Sequence, residues 1–330
     1  MSTVHLQLED PGAPPFAAKV VEILNAAFES KSNISAEKAA AEINSLFISD
    51  YEEHGTAGSF LWWFWDLMHD LARQIPYDQR EQDQLAAVIK ALAGLPPKTV
   101  VLGEDWGGAS DSSVDVWKSL PMFANTLNET LSDGKITPPV LVLRRPLISS
   151  LHGPLAEMRP LGDLRAPSEE ARKDRQVNLQ AYAARVAGLG LVPLETNAIW
   201  ALVDALEGTV KPVRGAPDEA NSDPAAVEDI THKTRIAAAW MVHAGHLLHG
   251  RDEVVSGATA GPLWKLDKKE AVKMRRKFKG TDGLCAERWQ LWKERFAVIR
   301  DAEGLGEKAR KDAGDAGDAY LAMEKIEKGQ

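Results

Sequence analysis

Apolar residues recur at helical spacing along most of this chain, and this pattern limits the folds that are open to it. A helix with one apolar face must bury that face against another element. The periodicity and its capping residues predict helices at residues 17–28, 36–47, 59–74, 79–93, 111–131 (interrupted at Pro121), 169–187, 197–207, 224–249, 287–300 and 307–327. We therefore expect an all-α fold.

Strand signals are thin, and several connections are long. Short β-branched runs occur at 99–102 and 140–143, each without a clear pairing partner. Long loops are predicted at 133–167, 208–223 and 251–283. Because the helices on both sides of every loop carry apolar faces, we expect one irregular multi-helix domain over all 330 residues. A division near 208–223 is the alternative.

Charge and cysteine content exclude several classes of protein. A net charge of -9 argues against a nucleic-acid partner. The lone cysteine, Cys285, excludes an internal disulfide and a multi-cysteine zinc site, and it fits a reducing compartment. The chain opens without a secretory signal pattern, and its densest apolar run, 60–65, is too short to span a membrane. We expect a cytoplasmic protein with no membrane partner.

The predicted helix at 59–74 is apolar on nearly all sides at its start, which is typical of a buried central helix. Its second half carries a polar stripe of Asp66, His69, Asp70 and Arg73. Asp66 and Asp70 lie one turn apart and are candidate ligands for the Mg²⁺ of a diphosphate substrate. The alternative is a solvated face on which Arg73 compensates Asp70.

The predicted helix at 224–249 carries four histidines: His232, His243, His246 and His249. His243 lies at the edge of the apolar stripe and is a candidate catalytic residue. His243 and His246 are one turn apart, a spacing that allows a shared metal, whereas a hydrogen-bonded structural histidine is the alternative. Gly245 disfavours a helix and indicates a close approach by a neighbouring helix or space left for a ligand, of which we favour the close approach.

Eight lysines and arginines lie between positions 265 and 279. Such a run can bind an anionic ligand such as a diphosphate, a phosphopantetheine arm or RNA, or it can be a solvated segment that balances an acidic protein. Aromatic residues do not interleave regularly with the charges, which argues against binding of single-stranded nucleic acid.

The segment 283–296 carries a stripe of three aromatic residues, Trp289, Trp292 and Phe296, which Ile299 extends at helical spacing. Helical spacing of this kind predicts a buried seam. Lys293 stands at its edge, either as a cation that reaches into an apolar pocket or as a structural lysine. We name Lys293 as a candidate catalytic residue and expect Cys285 to be a small buried side chain.

Several blocks of sequence carry a resemblance to a known family. The blocks are QVNLQAYAAR at 176–185, AIW at 198–200 with ALE at 205–207, AAW at 238–240 with AG at 244–245, GPLW at 261–264, and GLCAERWQLWKERF at 283–296. The chain resembles helical proteins of unknown function that are common in filamentous fungi and often encoded in secondary-metabolite gene clusters. One member belongs to a cluster for oxopyrrolidines, which are polyketide–amino acid hybrids. Gln176 and Gln180 depart from the pattern of that family, which usually has tryptophan and asparagine there.

The resemblance implies a fungal, cytosolic protein of secondary metabolism and supplies no catalytic residues. Our first hypothesis is an accessory protein of polyketide–amino acid biosynthesis that holds an apolar small molecule, with its catalytic role left open. An alternative is a divergent terpene cyclase, with Mg²⁺ on Asp66 and Asp70 and with Lys293 or the basic run on the diphosphate. The cyclase motif D-D-x-x-D is missing. A further alternative is a non-catalytic interaction protein.

Overall fold

The computed structural model describes residues 4–29, 34–103, 106, 113–133, 168–214, 219–264 and 283–328. Over these ranges the fold is all-α, as predicted. The helices are α1 Pro15–Phe28, α2 Ala36–His54, α3 Gly58–Gln74, α4 Arg80–Ala93, α5 Phe123–Asp133, α6 Glu169–Gly188, α7 Glu195–Leu206, α8 Ile230–Ala244, α9 Ala286–Arg300 and α10 Glu307–Lys328. The predicted strand at 140–143, the basic run at 265–279 and most of the loop at 133–167 lie outside the described residues.

Short antiparallel ladders connect some of these helices. Strand β1 (Thr99–Val101) pairs with β2 (Ser113–Asp115). Strands β3 (Thr209–Lys211) and β4 (Glu219–Asn221) form a hairpin inside the predicted loop at 208–223, and β5 (Glu253–Val254) pairs with β6 (Gly283–Leu284). These ladders are too short to form a sheet core, so they fix loops against the helices.

The prediction of a helix over 111–131 was wrong in its first half. Val114 pairs with Val100 in the β1–β2 ladder, so the run 99–102 does have a partner. Helix α5 begins only at Phe123, because Pro121 cannot occupy the interior of a helix. Met122 takes a left-handed backbone conformation with a φ of 70° just before this helix.

The prediction of one long helix over 224–249 was also wrong. A 3₁₀ turn at Pro224–Ala226 is followed by α8 and then by a second 3₁₀ turn at Gly245–Leu247. Asp229 adopts a φ of 55° between the first turn and α8, which breaks the helix there. The close approach expected at Gly245 is confirmed, since a Cβ there would stand 3.0 Å from Met241 and 3.0 Å from Met323 of α10.

Helices α6 and α8 lie at the centre of the packing. Helix α8 contacts α6, α7 and α10, whereas α6 also contacts α3, α4 and α5. The crossing of α6 and α8 is close, because a Cβ on Gly188 would stand 2.0 Å from the carbonyl oxygen of His243. One hydrophobic cluster extends from Leu6 to Tyr320. The division of the chain into domains stays a prediction.

Aromatic side chains fill the interior around α3. Trp65 meets Phe123 edge to face at 5.1 Å and Trp117 at 6.2 Å. Its indole N–H donates to the carbonyl oxygen of Pro121 at 2.8 Å, so the polar end of this buried ring is satisfied. The prediction that α3 is a buried central helix is confirmed at its start, since Phe60, Phe64 and Trp65 are all buried. Within the described ranges, no helix has the length and apolar character needed to cross a lipid bilayer.

Candidate functional site

A wide pocket lies where α9 and α10 meet the chain that follows α8. Its volume is about 800 Å³, within the range of small-molecule sites. We call it the aromatic pocket. Its lining residues are His249, Gly250, Arg251, Asp252, Ala286, Glu287, Trp289, Gln290, Leu291, Glu294, Tyr320 and Glu324.

Three rings from different parts of the chain form the floor of the aromatic pocket. The Trp289 ring centroid lies 5.6 Å from that of His249 and 5.6 Å from that of Tyr320. His249 meets Tyr320 edge to face at 6.1 Å, and Trp292 packs behind Trp289 at 5.4 Å. Aromatic faces carry negative charge density, so this floor suits an apolar body or a cationic group.

Trp289 also brings a polar atom to this floor. The side chain is buried, with 5% of the residue exposed. Among the residues that the structure describes, its indole nitrogen Nε1 meets no hydrogen-bond acceptor. A buried donor without an acceptor costs about 1–3 kcal/mol. The atom is also shielded from solvent, so it is enclosed by protein rather than open to the space of the pocket.

The rim of the aromatic pocket is acidic. Four carboxylates line it: Asp252, Glu287, Glu294 and Glu324. The basic lining residue Arg251 is bonded to Glu253, and its Nη1 lies 3.5 Å from Glu195 Oε1. Among the described lining residues, carboxylates thus outnumber basic side chains, and one of them, Glu324, is paired with Lys293.

Lys293 lies beside the aromatic pocket and has two partners. Its Nζ is 3.0 Å from Glu324 Oε2 and 4.7 Å from the centre of the Tyr320 ring. Both contacts hold the ammonium group at the back of the floor, which matches the structural alternative for this residue. A catalytic role for Lys293 stays a prediction.

A buried ion pair anchors the other side of α9. Glu207 and Arg288 are both 0% exposed, and Arg288 Nε donates to Glu207 Oε1 at 2.7 Å. Arg288 Nη2 donates to Glu207 Oε2 at 3.2 Å. The same carboxylate accepts from the Trp292 indole at 2.8 Å and from the Gly261 backbone N–H at 2.6 Å. Every oxygen of Glu207 thus has two donors, as a buried carboxylate requires.

The guanidinium of Arg288 also holds two loops in place. Its Nη1 donates to the Gly283 carbonyl oxygen at 3.0 Å, and its Nη2 donates to that of Thr259 at 2.6 Å. Sequence reasoning missed this pair, although Arg288 precedes Trp292 by one turn on the apolar face of the helix. The blocks at 205–207, 261–264 and 283–296 that carry the family resemblance converge here. We interpret this convergence as a structural feature of the fold, because both side chains of the Glu207–Arg288 pair are fully buried.

Asp66 and Asp70 line a separate, small cleft between α3 and the N-terminal segment. The cleft has about 20 Å³ of room, enough for one water molecule. Asp70 accepts a hydrogen bond from Arg73 Nη1 at 3.1 Å, and burial raises the pKa of Asp70. This is the ion pair that the alternative interpretation predicts. The cleft as it stands does not fit an isoprenoid diphosphate, and Mg²⁺ binding by these aspartates stays a prediction.

The histidines of interest are separated from one another. His69 turns into the core, where its Nε2 is 3.0 Å from Thr126 Oγ1 and burial lowers its pKa to about 3. His243 is half-buried, and burial together with Arg185 lowers its pKa to about 4. His246 is exposed and lies beyond the end of α8. A metal shared by His243 and His246 was predicted on the assumption of one continuous helix, and α8 ends between these two residues.

In the described part of the chain, one group of side chains has the spacing of metal ligands. Glu170 and Asp174 on α6 and His232 on α8 bring one ligand atom each within 4.8 Å of the others. The sequence shows the histidine but not the carboxylates that face it, since those come from a helix about 60 positions away.

Comparison with known proteins places the chain in a family. Residues 65–296, well over half of the chain, match a family described as protein of unknown function (DUF3632). The chain belongs to this family. The match includes most of α9, with Trp289 and Arg288, as well as the group formed by Glu170, Asp174 and His232. No curated protein and no solved structure matches the chain.

Proposed function

We propose that this family member is an accessory protein of fungal secondary metabolism that binds a small organic molecule in the aromatic pocket. The observation that carries the proposal is the floor of His249, Trp289 and Tyr320 under about 800 Å³ of space. Concave sites of this size with aromatic walls and a few polar groups are typical of small-molecule binding.

The lining of the pocket indicates the chemistry of the ligand. The rings require an apolar body, and the acidic rim favours an amine or another cationic group. A hybrid of a polyketide and an amino acid combines an apolar chain with a nitrogen atom.

The biological setting of the proposal rests on the sequence. The blocks at 176–185 and 283–296 resemble proteins encoded in fungal secondary-metabolite clusters. A single cysteine in a chain of this length fits the cytosol. Deletion of the gene in its host should remove or alter one metabolite under producing conditions, as measured by mass spectrometry of culture extracts. An unchanged metabolite profile would contradict the role in secondary metabolism.

The pocket itself is tested with three probes that share one skeleton. We expect phenylbutylamine to bind more tightly than phenylbutanol, and phenylbutyrate to bind most weakly, in titrations followed by tryptophan fluorescence. Glu294→Gln removes one rim charge and should weaken amine binding by about 1.5- to 5-fold. Glu303→Gln is the matched control, because Glu303 is exposed and does not line the pocket. Equal binding of all three probes, or none, would refute the assignment.

A further inference from the structure

A second site lies between α6 and the start of α8. Glu170 and Asp174 stand one turn apart on α6, and both face His232 at the start of α8. His232 Nε2 is 3.1 Å from Glu170 Oε1 and 3.8 Å from Asp174 Oδ1. Two neighbouring helices thus bring one nitrogen and two oxygen atoms together at a single point.

His232 supplies an observation independent of the acidic residues. The residue is 9% exposed, and its Nε2 atom is buried. Although Glu170 Oε1 is close, the geometry makes no hydrogen bond, so Nε2 is unsatisfied among the described residues. A buried ring nitrogen that points at two carboxylates and bonds to neither is placed as a ligand to a shared cation would be.

We propose that Glu170, Asp174 and His232 form a binding site for a divalent transition metal of the zinc class. Imidazole nitrogen with carboxylate oxygen is a ligand set that zinc accepts at bond lengths of about 2.0–2.2 Å. Ligand atoms around a tetrahedral ion at such distances lie roughly 3.3 Å apart. The separations of 3.1 and 3.8 Å bracket that value, so small rotations of the exposed carboxylates complete the geometry.

The surrounding charges support a metal rather than oppose it. Arg235 Nη1 donates to Asp174 Oδ1 at 2.7 Å, which orients that carboxylate as hydrogen-bond partners orient metal ligands. Arg235 in turn stacks over the Tyr77 ring at 4.8 Å. The two carboxylates and this one guanidinium carry a net charge of -1. A bound divalent cation changes the net charge of the site to +1.

The site is accessible and leaves room for further ligands. The Glu170 side chain is 70% exposed, so an ion can enter from solvent without unfolding. Three protein ligands leave at least one position for water, as in sites where zinc is exchangeable or catalytic. A bound ion would also join α6 to α8, the two helices at the centre of the fold.

The test uses the full chain, dialysed against a chelator and titrated calorimetrically with zinc chloride and, separately, with magnesium chloride. We expect one equivalent of zinc to bind, and magnesium to bind far more weakly, because Mg²⁺ prefers oxygen ligands alone. Glu170→Gln and His232→Gln should each weaken zinc binding at least about tenfold. Zinc should raise the thermal unfolding temperature of the parent chain more than that of Glu170→Gln.

Matched controls separate this site from chance binding. Glu169→Gln changes the adjacent carboxylate, which pairs with Lys173 at 2.7 Å, and His246→Gln changes an exposed histidine. Both controls should bind zinc as the parent does. Glu170 is exposed, so its variant decides the question even where His232→Gln does not fold. Absence of saturable zinc binding in the parent, or undiminished binding in Glu170→Gln, would overturn the proposal.

Discussion

Arg288→Met tests whether the ion pair behind the aromatic pocket holds this part of the fold together. Methionine fills the space of the arginine stem but leaves Glu207 as a buried carboxylate without its cation. Breaking a buried pair in this way costs about 3–5 kcal/mol. The carbonyl oxygens of Gly283 and Thr259 also lose their donor, at about 1–3 kcal/mol for each group that water does not reach.

We therefore expect Arg288→Met to lower the free energy of unfolding by at least about 4 kcal/mol, a large part of the roughly 5–15 kcal/mol that stabilises a typical protein. Urea denaturation followed by circular dichroism measures this change. The control is Arg300→Met on the same helix, since Arg300 is exposed and pairs with the equally exposed Asp301. It should change stability by no more than about 0.5 kcal/mol.

The double variant Glu207→Gln/Arg288→Met separates lost charge pairing from lost packing. It removes both charges, and the glutamine oxygen still accepts from the Trp292 indole or the Gly261 N–H. Its cost should be smaller than the sum of the single changes by about 2–3 kcal/mol. A cost for Arg288→Met below about 1.5 kcal/mol, or strictly additive single changes, would refute the argument.

Other predictions concern a histidine, a glycine and a lysine. Burial lowers the pKa of His69 from 6.5 to about 3. Between these two pH values the histidine is protonated in the unfolded chain and neutral in the folded chain. As the pH decreases through that window, this residue should lower the free energy of unfolding by about 1.4 kcal/mol per pH unit. Urea titrations at several pH values should show a weaker pH dependence of stability in His69→Gln. An equal slope in the parent and the variant would contradict this prediction. Gly188→Ala forces a Cβ towards the His243 carbonyl and should cost about 1–3 kcal/mol or more. Gly314→Ala, with its nearest neighbour 3.7 Å away, should be neutral or stabilise by up to about 1 kcal/mol, and equal thermal shifts would refute the contrast. Lys293→Gln loses partly exposed contacts to Glu324 and Tyr320, so urea denaturation should show a loss below about 1 kcal/mol, and a larger loss would show that this pair is more than a surface contact.

Local periodicity was sufficient to predict most of the helices and the aromatic seam. Trp289, Trp292, Phe296 and Ile299 are all buried, as their spacing predicts. The expected burial of Cys285 is also confirmed. In each of these cases the signal lies within one helix, where residue spacing determines which side chains share a face.

The errors arise where distant residues decide the outcome. The false helix near residue 114 fails because Val114 pairs with Val100, a contact that helical periodicity does not contain. Glu207 and Arg288 lie 81 positions apart, so the only local signal was an arginine on an apolar helix face. The floor of the aromatic pocket likewise combines rings from three separate segments. The catalytic candidates His243, Asp66 and Asp70 stay predictions.

The anchoring of α9 has a consequence for how selective the aromatic pocket is. Trp289 follows Arg288 directly, and Arg288 is fixed by hydrogen bonds to Glu207, Gly283 and Thr259. A floor that is already immobile loses little side-chain rotamer freedom when a ligand binds. This lowers the entropic cost of binding by about 0.5–1.5 kcal/mol for each side chain that need not be ordered. The same rigidity prevents the floor from reshaping around a poorly matched molecule. We therefore expect a narrow range of guests, chosen by shape.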